Sequence, residues 1–257
     1  MSDKYYFLNV GCGDCTVMHL GPKIVMVDCH QGNTSNDQEN ILDYIPNGKI
    51  DVLILTHAHY DHFDGIQLLI DNNIEVVEVW ESNYERRYAD NSVQYQEWHD
   101  YQELLKKLSA KIYHPTRSAE IYDTVGGATF QFYNPKKNIN DKETREIHDA
   151  SLVFSVRKGS MSITFTGDAS DWALGEVSDF FDLQKKHVLH ASHHGSINGA
   201  HLEFIKKIKP NYTIISTKSG VYDNVPHPTA LQRYRSNTTK AVRRTDIDGT
   251  RVFTITQ

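Results

Sequence analysis

His57, His59, Asp61 and His62 fall within one six-residue run, directly behind the apolar stretch Asp51-Val52-Leu53-Ile54-Leu55-Thr56. Imidazole and carboxylate are the ligands of zinc and of harder divalent cations. An extended segment sends alternate side chains to the same side, so His57, His59 and Asp61 can converge, and the turn that follows brings in His62. Four ligands so close together suit two adjacent cations better than one. A two-metal centre is a device for hydrolysis at phosphorus or carbonyl centres. The chain has 14 histidines, so some clustering is expected by chance. Chance does not readily place this order of residues at the carboxyl end of a buried strand, where open α/β sheets keep their chemistry.

Two metals need more donors than this run supplies, and three later segments offer them. Thr166-Gly167-Asp168 ends an apolar strand with a carboxylate in a glycine-permitted turn, suited to bridging two cations. His190-Ala191-Ser192-His193-His194-Gly195-Ser196 follows another strand, and His148-Asp149 precedes a third.

The elements that must position these residues are legible from hydrophobic patterning and turn residues. Strands are expected at Tyr5 to Val10, Cys15 to Leu20, Lys23 to Asp28, Asp51 to Thr56 and Ile74 to Trp80, separated by glycine and proline punctuation. Asn36 is a candidate cap for a helix near Asp37 to Ile45, and a second helix fits Gly65 to Asp71. The second half reads as strands at Ala128 to Tyr133, Leu152 to Val156, Ser162 to Thr166, His187 to Ala191 and Tyr212 to Ser216. Helices fit Asp171 to Phe181, Gly199 to Lys207 and Thr229 to Ser236. A closing hairpin is expected from Ala241 to Arg244, through Asp248-Gly249, to Arg251 to Thr256. Two β-rich halves with flanking helices imply an α/β (α+β) protein built as an αββα sandwich, its loops meeting along one edge. Residues 83 to 109 stand apart: Tyr84, Tyr88, Tyr95, Trp98 and Tyr101 punctuate a charged segment, with helical spacing from Val93 to Leu108. This is a helical insertion over the sheet rim, either packed or serving as a lid that stacks on substrate rings.

Composition sets the outer bounds. With no repeat or Pro/Gly-rich linker, the 257 residues are expected to form a single domain, 1–257. Hydrophobic residues make up 39% and charged ones 23%, as in ordinary globular proteins. A formal charge of −6 argues against a broad nucleic-acid-binding surface, though not against nucleic acid in a metal-lined cleft. No apolar stretch approaches a membrane span and the N-terminus opens no signal peptide, so no membrane association and a cytoplasmic location are expected. Cys12 and Cys15 have C-x-x-C spacing, but no second pair closes a zinc site, and with Cys29 they read as reduced cysteines.

His57-x-His59-x-Asp61-His62 resembles the signature of the metallo-β-lactamase-fold hydrolases. The chain is most similar to their ComEC-like branch, which includes the soluble nuclease domain of the bacterial competence DNA channel. Phe7-Leu8-Asn9-Val10-Gly11-Cys12-Gly13-Asp14, Val27-Asp28, Asp149-Ala150-Ser151-Leu152-Val153, Thr166-Gly167-Asp168, His193-His194-Gly195-Ser196, His227-Pro228 and Arg244-Thr245-Asp246 with Gly249 follow in the branch's order. The resemblance implies a metallo-β-lactamase αββα sandwich of two mixed β-sheets flanked by helices. It also implies a ligand set: His57, His59 and His148 on one metal, Asp61, His62 and His193 on the other, and Asp168 bridging. The branch often carries Asn at the position of His148, with Asp149 as the substitute ligand. Spacing leaves His193 and His194 open, and His193, first after the strand, is taken. Asp28 is expected to orient ligands rather than bind metal. The two divalent cations fit Zn2+, with Mn2+ as the alternative.

The expected activity is that of a dinuclear-metal-dependent phosphodiesterase or nuclease using a metal-bridging hydroxide, with Asp61, Asp168 and His227 as catalytic residues. His227, in Val225-Pro226-His227-Pro228, has no metal partner in sequence and is placed against a substrate phosphate or the leaving group. Ser196 and Asn198 are further substrate contacts. Arg233, Arg235, Lys240, Arg243 and Arg244 offer local positive charge for a phosphodiester or nucleic-acid substrate. A small-molecule ester, lactone, thioester or phosphocholine ester is the alternative substrate, since fold does not fix function. A non-catalytic metal-binding partner protein is the third reading.

Overall fold

The structure, a computed structural model, describes residues 2–32, 39–142, 145–180 and 188–255. Burial alternates along β1 (Asp3–Phe7), which sends Tyr5 and Phe7 inward and leaves Lys4 exposed. β2 (Thr16–Leu20), β3 (Lys23–Val27) and β4 (Lys49–Leu55) follow, then the short helices α1 (Tyr60–Phe63) and α2 (Ile66–Asp71). β5 (Glu75–Glu81), α3 (Tyr95–Leu108) and β6 (Lys111–Tyr113) complete the first half. The second half comprises β7 (Asp123–Val125), β8 (Ala128–Asn134), β9 (Val153–Lys158), β10 (Met161–Phe165), α4 (Asp171–Phe180), β11 (Val188–His190) and α5 (Leu202–Ile208). It continues through β12 (Tyr212–Ile215), α6 (Pro228–Asn237), β13 (Ala241–Arg244) and α7 (Thr245–Asp248) to β14 (Arg251–Ile255).

Two seven-stranded sheets result, ordered β14-β1-β2-β3-β4-β5-β6 and β13-β12-β11-β10-β9-β8-β7. In each, hairpin-linked antiparallel strands give way to a parallel set, β3 to β6 and β10 to β13. Parallel neighbours need crossovers, which puts helices on the outer faces and leaves the strand-end loops on one rim. Three apolar layers match this αββα order. Tyr5, Phe7, Trp80, Phe130, Phe132, Phe154 and Phe165 fill the space between the sheets. Phe63, Ile66, Leu69, Tyr101 and Leu105 lie under the helices of the first half, and Leu174, Val177, Phe204, Ile205 and Tyr234 under those of the second.

Two sequence expectations give way, and two strands went unexpected. Among the described residues of the 37–45 segment there is only a 3-10 turn, Ile41–Tyr44, capped by the Asn40 side chain, which accepts from Leu42 N at 3.1 Å; Asn36 lies outside the described residues. The closing hairpin does not form: β13 pairs with β12 and β14 with β1, in different sheets. The link through α7 carries the chain across the sandwich because Val242 packs with the outer layer of the second sheet, whereas Phe253 and Ile255 pack with the inter-sheet core. Two edge strands, β6 and β7, gave no pattern because their side chains are mostly exposed.

The aromatic insertion is mostly packing. Tyr84 and Tyr101 are buried and Trp98 packs against them, while Tyr88 and Tyr95 are exposed. Tyr101 Oη donates to the Glu81 carboxylate, tying α3 to the end of β5. Burial pushes that carboxyl from 4.5 up to about 7, against the opposing hydrogen bond from Tyr101. The folded chain therefore holds a proton there that the unfolded chain releases between pH 4.5 and about 7, so stability falls as pH rises through that window. Glu81→Gln, which keeps an oxygen acceptor for Tyr101, should flatten the decline and raise stability above neutrality by roughly 1–3 kcal/mol. Urea midpoints at pH 5 and pH 8 measure it; parallel pH dependences in both proteins would refute the assignment.

Candidate metal centre

The carboxyl ends of β3, β4, β10 and β11 deliver the centre. β4 ends at Leu55 directly before Thr56 and His57, and α1 begins at Tyr60 with His59 as the residue before its first turn, so one sharp strand-to-helix turn presents all four residues of the motif. His57 Nε2 lies 3.0 Å from His59 Nδ1, and His148 Nε2 lies 3.2 Å from the same atom. Zinc–nitrogen bonds of about 2.0–2.1 Å at tetrahedral angles would put ligand nitrogens roughly 3.3 Å apart. His59 donates through Nε2 to Ser92 O at 2.9 Å when that nitrogen carries the proton, which leaves Nδ1 as the lone-pair nitrogen facing the other two rings.

The second group contains Asp61, His62 and His194, their ligand atoms within 4.8 Å of one another. His194 Nε2 lies 3.3 Å from Asp61 Oδ2, and His62 Nε2 lies 3.2 Å from Asp168 Oδ1. His62 Nε2, His194 Nε2 and Asp168 Oδ1 are all buried without a hydrogen-bond partner among the described residues. Buried polar atoms close together yet out of hydrogen-bond alignment fit donors aimed at a shared cation. Asp168 lies between the groups: its Oδ2 is 3.9 Å from His57 Nε2, 3.7 Å from His193 Nε2 and 3.6 Å from His194 Nε2. The donor chemistry thus fits two divalent cations, one toward each group.

This grouping revises one sequence expectation. His193 is grouped with His148 and Asp168, and His194, deeply buried, joins Asp61 and His62. Both histidines have left-handed backbones, with φ of 52° and 51°. Position directly after the strand, which favoured His193, does not fix where side chains point in such a turn. Strain of this kind persists where the surroundings over-determine it: His194 Nδ1 bonds Ser216 O at 2.9 Å, and Ser196 N–H closes the turn onto His193 O at 2.7 Å past Gly195, whose φ is 82°. Gly167 has a comparable duty. A Cβ there would lie 2.5 Å from Ser151 Oγ and 2.6 Å from Thr56, so only glycine lets the turn after β10 press Asp168 into the site.

Electrostatics follow burial and pairing. Burial holds His57 well below the ordinary histidine range and His148 down to about 3, helped by the neighbouring imidazoles. Burial alone would also depress His62 and His194, but the carboxylates around them together outweigh it, Asp168 and Asp28 for His62 and Asp168, Asp61 and Asp14 for His194, so both stand well above the ordinary value. Burial would raise Asp168, yet His194, His62 and His193 hold it well below the usual carboxylate range.

Asp28 acts behind the ligands. Its backbone is left-handed at φ 54°. It accepts from Thr56 N at 2.7 Å and Thr56 Oγ1 at 2.8 Å, and its Oδ2 meets His62 Nδ1 at 2.9 Å. That contact keeps the proton on Nδ1 and leaves Nε2 for the site. Asp28→Ala should weaken metal affinity by about 10–100-fold without removing a ligand. A competition titration against a chromogenic chelator measures this; unchanged affinity would disprove the role.

Other candidates are placed as follows. Asp149, the alternative to His148, is engaged elsewhere, accepting from Ser170 Oγ at 2.6 Å and Lys142 Nζ at 2.5 Å. His227 caps α6, its Nδ1 accepting from Thr229 N at 3.1 Å, and does not line the cavity at the metal-ligand groups. Ser196 Oγ accepts from Asn198 N at 3.4 Å in a local turn, while Asn198 lines a neighbouring cavity with Trp172 and His193. The basic cluster is largely spent: Arg244 pairs with Asp246, Arg243 with Asp248, and Arg233 donates to Ala200 O. All three cysteines are free, buried thiols.

Sequence reasoning left three residues without a role. Asp14 is buried within 4.8 Å of Asp168 and His194, and His190 Nε2, bonded to Ser216 Oγ at 2.9 Å, lies 3.5 Å from Asp14 Oδ1. Asp14 had stood in the opening motif without a role. Tyr222 Oη donates to Asp61 Oδ2 at 3.3 Å across 161 positions of sequence, which no local pattern could signal. With Tyr60, Glu97 and Val225 it walls a cavity of about 440 Å3 over the ligand groups.

A family model, the metallo-beta-lactamase superfamily, matches residues 13–219. The chain belongs to that superfamily. It is similar to ComE operon protein 3 of Bacillus subtilis (27% identity over 202 residues, 79% of this chain and 24% of the relative). It is also similar to Recombination protein 2 of Haemophilus influenzae (26% over 252 residues, 94% of this chain and 27% of the relative). The chain thus spans about a quarter of either relative's length, and these matches agree with the ComEC-like resemblance. Among solved structures, the metallo-beta-lactamase fold protein YhfI from Bacillus subtilis superposes with a TM-score of 0.62 at 15% identity, covering 99% of this chain and all of that one. No described helix is long and apolar enough to cross a membrane.

Proposed function

We propose that this chain is a dinuclear metal-dependent phosphodiesterase of the nuclease class. One observation carries the reaction type: two groups of His and Asp donors, His57/His59/His148 and Asp61/His62/His194, lie on either side of a single buried carboxylate, Asp168. Two divalent cations held there, zinc or manganese, would supply Lewis acidity and a water of lowered pKa. The chain's own groups do the rest. Asp28 and Ser216 fix the tautomers of His62 and His194, so their Nε2 atoms stay aimed inward. Asp61, held by the Tyr222 hydroxyl, orients the nucleophile. His193, less buried than His194, faces the substrate side between His148 and Asp168.

Phosphodiester specificity rests on the ComEC-like motifs and on the relatives' sequences. A second reading has its own support: a cavity of about 440 Å3 walled partly by Tyr60, Tyr222 and Val225 also suits a small-molecule ester, lactone or thioester. A panel separates them. The purified chain, loaded with zinc or manganese, should cleave bis(p-nitrophenyl) phosphate and single-stranded DNA. Turnover confined to lactones or thioesters would transfer the assignment to the second reading.

A further inference from the structure

A second cavity, of about 470 Å3, adjoins the metal-ligand groups and shares His148 with them. Arg87, Asp90, Ser92, Arg145 and Glu146 line it, and Ser92 is the residue whose carbonyl receives His59. Arg145 is its unusual member. Its residue surface is 7% exposed, shielded although close to the protein exterior, and no carboxylate among the described residues lies within ion-pair distance. Its Nη1 donates to Asn140 O at 2.7 Å and its Nη2 to Glu85 O at 2.5 Å, both neutral oxygens, and the guanidinium stands 5.4 Å from the Tyr84 ring centre. The Nε is buried with no hydrogen-bond partner.

The two acids in the cavity wall are already engaged. Asp90 Oδ1 accepts from Ser92 N at 2.8 Å and Ser92 Oγ at 2.7 Å, and the Glu146 side chain accepts the Asp149 N–H in a capping box. Burial, with Arg87 nearby adding like charge, pulls Arg145 below its ordinary value. Asp90, Glu85 and Asp141 oppose that shift from beyond ion-pair distance, but a shielded guanidinium hydrogen-bonded only to neutral acceptors is still costly, and an anion in contact with it relieves that cost. Arginine pairs favour phosphate oxygens, which they meet in a planar fork.

We propose that this cavity is a phosphate subsite, in which Arg145 and Arg87 hold a second phosphate of the substrate while the first occupies the metal centre. The subsite rests on the phosphodiesterase reading for its biological meaning, and it names the substrate class: a nucleotide chain with a phosphate adjacent to the scissile one, rather than an isolated diester.

Isothermal titration of the zinc-loaded protein with deoxythymidine 5′-monophosphate and deoxythymidine 3′,5′-bisphosphate tests it. Both are monoesters and bind without being substrates for a diesterase. The bisphosphate should bind at least about tenfold more tightly than the monophosphate, and Arg87→Met and Arg145→Met should each reduce that ratio to within about threefold. Equal affinities in the unaltered protein, or a ratio intact in the variants, would overturn the subsite. Should Arg145→Met fail to fold, Arg87→Met, whose side chain is exposed, decides alone. A preserved preference for the bisphosphate with no diester cleavage would sink the phosphodiesterase reading and leave the subsite standing. Cleavage without that preference would do the reverse.

Discussion

Asp168→Ala is expected to cost about three orders of magnitude or more in metal-dependent hydrolysis, the scale of losing a centrepiece of transition-state charge stabilisation. The carboxylate lies between the two donor groups, with Oδ1 toward His62 and Oδ2 toward His57, His193 and His194. It is also one of the carboxylates that hold His62 and His194 above the ordinary histidine range, with Asp28 for His62 and with Asp61 and Asp14 for His194. Without it, two cations would face each other across a buried pocket with no shared negative charge to screen them. Elemental analysis of the purified variant should find the bound metal reduced relative to the unaltered chain, and initial rates on bis(p-nitrophenyl) phosphate should fall to background. A variant that retained rates within tenfold of the parent would remove Asp168 from the reaction. A non-catalytic metal-binding protein is tested by the same preparations: full metal occupancy with no turnover on any ester would support it.

Trp80→Ala should carry the largest stability cost, about 3–5 kcal/mol, from lost burial plus the cavity left behind. Trp80 is 1% exposed in the inter-sheet layer, toward the β6/β7 edge of the sandwich, with ring centres 5.1 Å from Tyr122, 5.3 Å from Phe130 and 6.1 Å from Phe132. It joins β5 of the first sheet to β8 of the second, so its loss loosens the two sheets against each other. Since the metal donors come from both sheets, the variant should also bind metal more weakly than its residual fold alone would allow. Urea unfolding reads the first effect and chelator competition the second. A loss below about 1 kcal/mol would mean the sandwich does not depend on this layer as drawn.

Much of this molecule was legible before folding. The run His57 to His62 carries its own geometry, because a strand that ends in a turn presents neighbouring residues to one point. The strands β4, β9 and β10 announced themselves through buried Val, Ile, Leu and Phe, and the superfamily followed from motifs in order along the chain. Edge strands β6 and β7 were silent because exposed residues obey no alternation, and the closing hairpin misled because β13 and β14 have local turn chemistry that longer-range packing overrides. The aromatic insertion was ambiguous in sequence for a similar reason: only the burial of Tyr84 and Tyr101 separates core from surface.

The sequence by itself determined the fold family, and it put the histidine motif and Asp168 forward as candidate metal donors. Tertiary structure alone showed which donors each later histidine lies among, since both sit in a left-handed turn whose side-chain directions order along the chain does not give. It alone brought Tyr222 to Asp61, Asp14 beneath His194, and Arg145 beside the site. The physical reason is distance along the chain. Local patterns record what a segment does with its neighbours, whereas ligand geometry, charge pairing and cavity walls depend on segments that meet only once both sheets have packed.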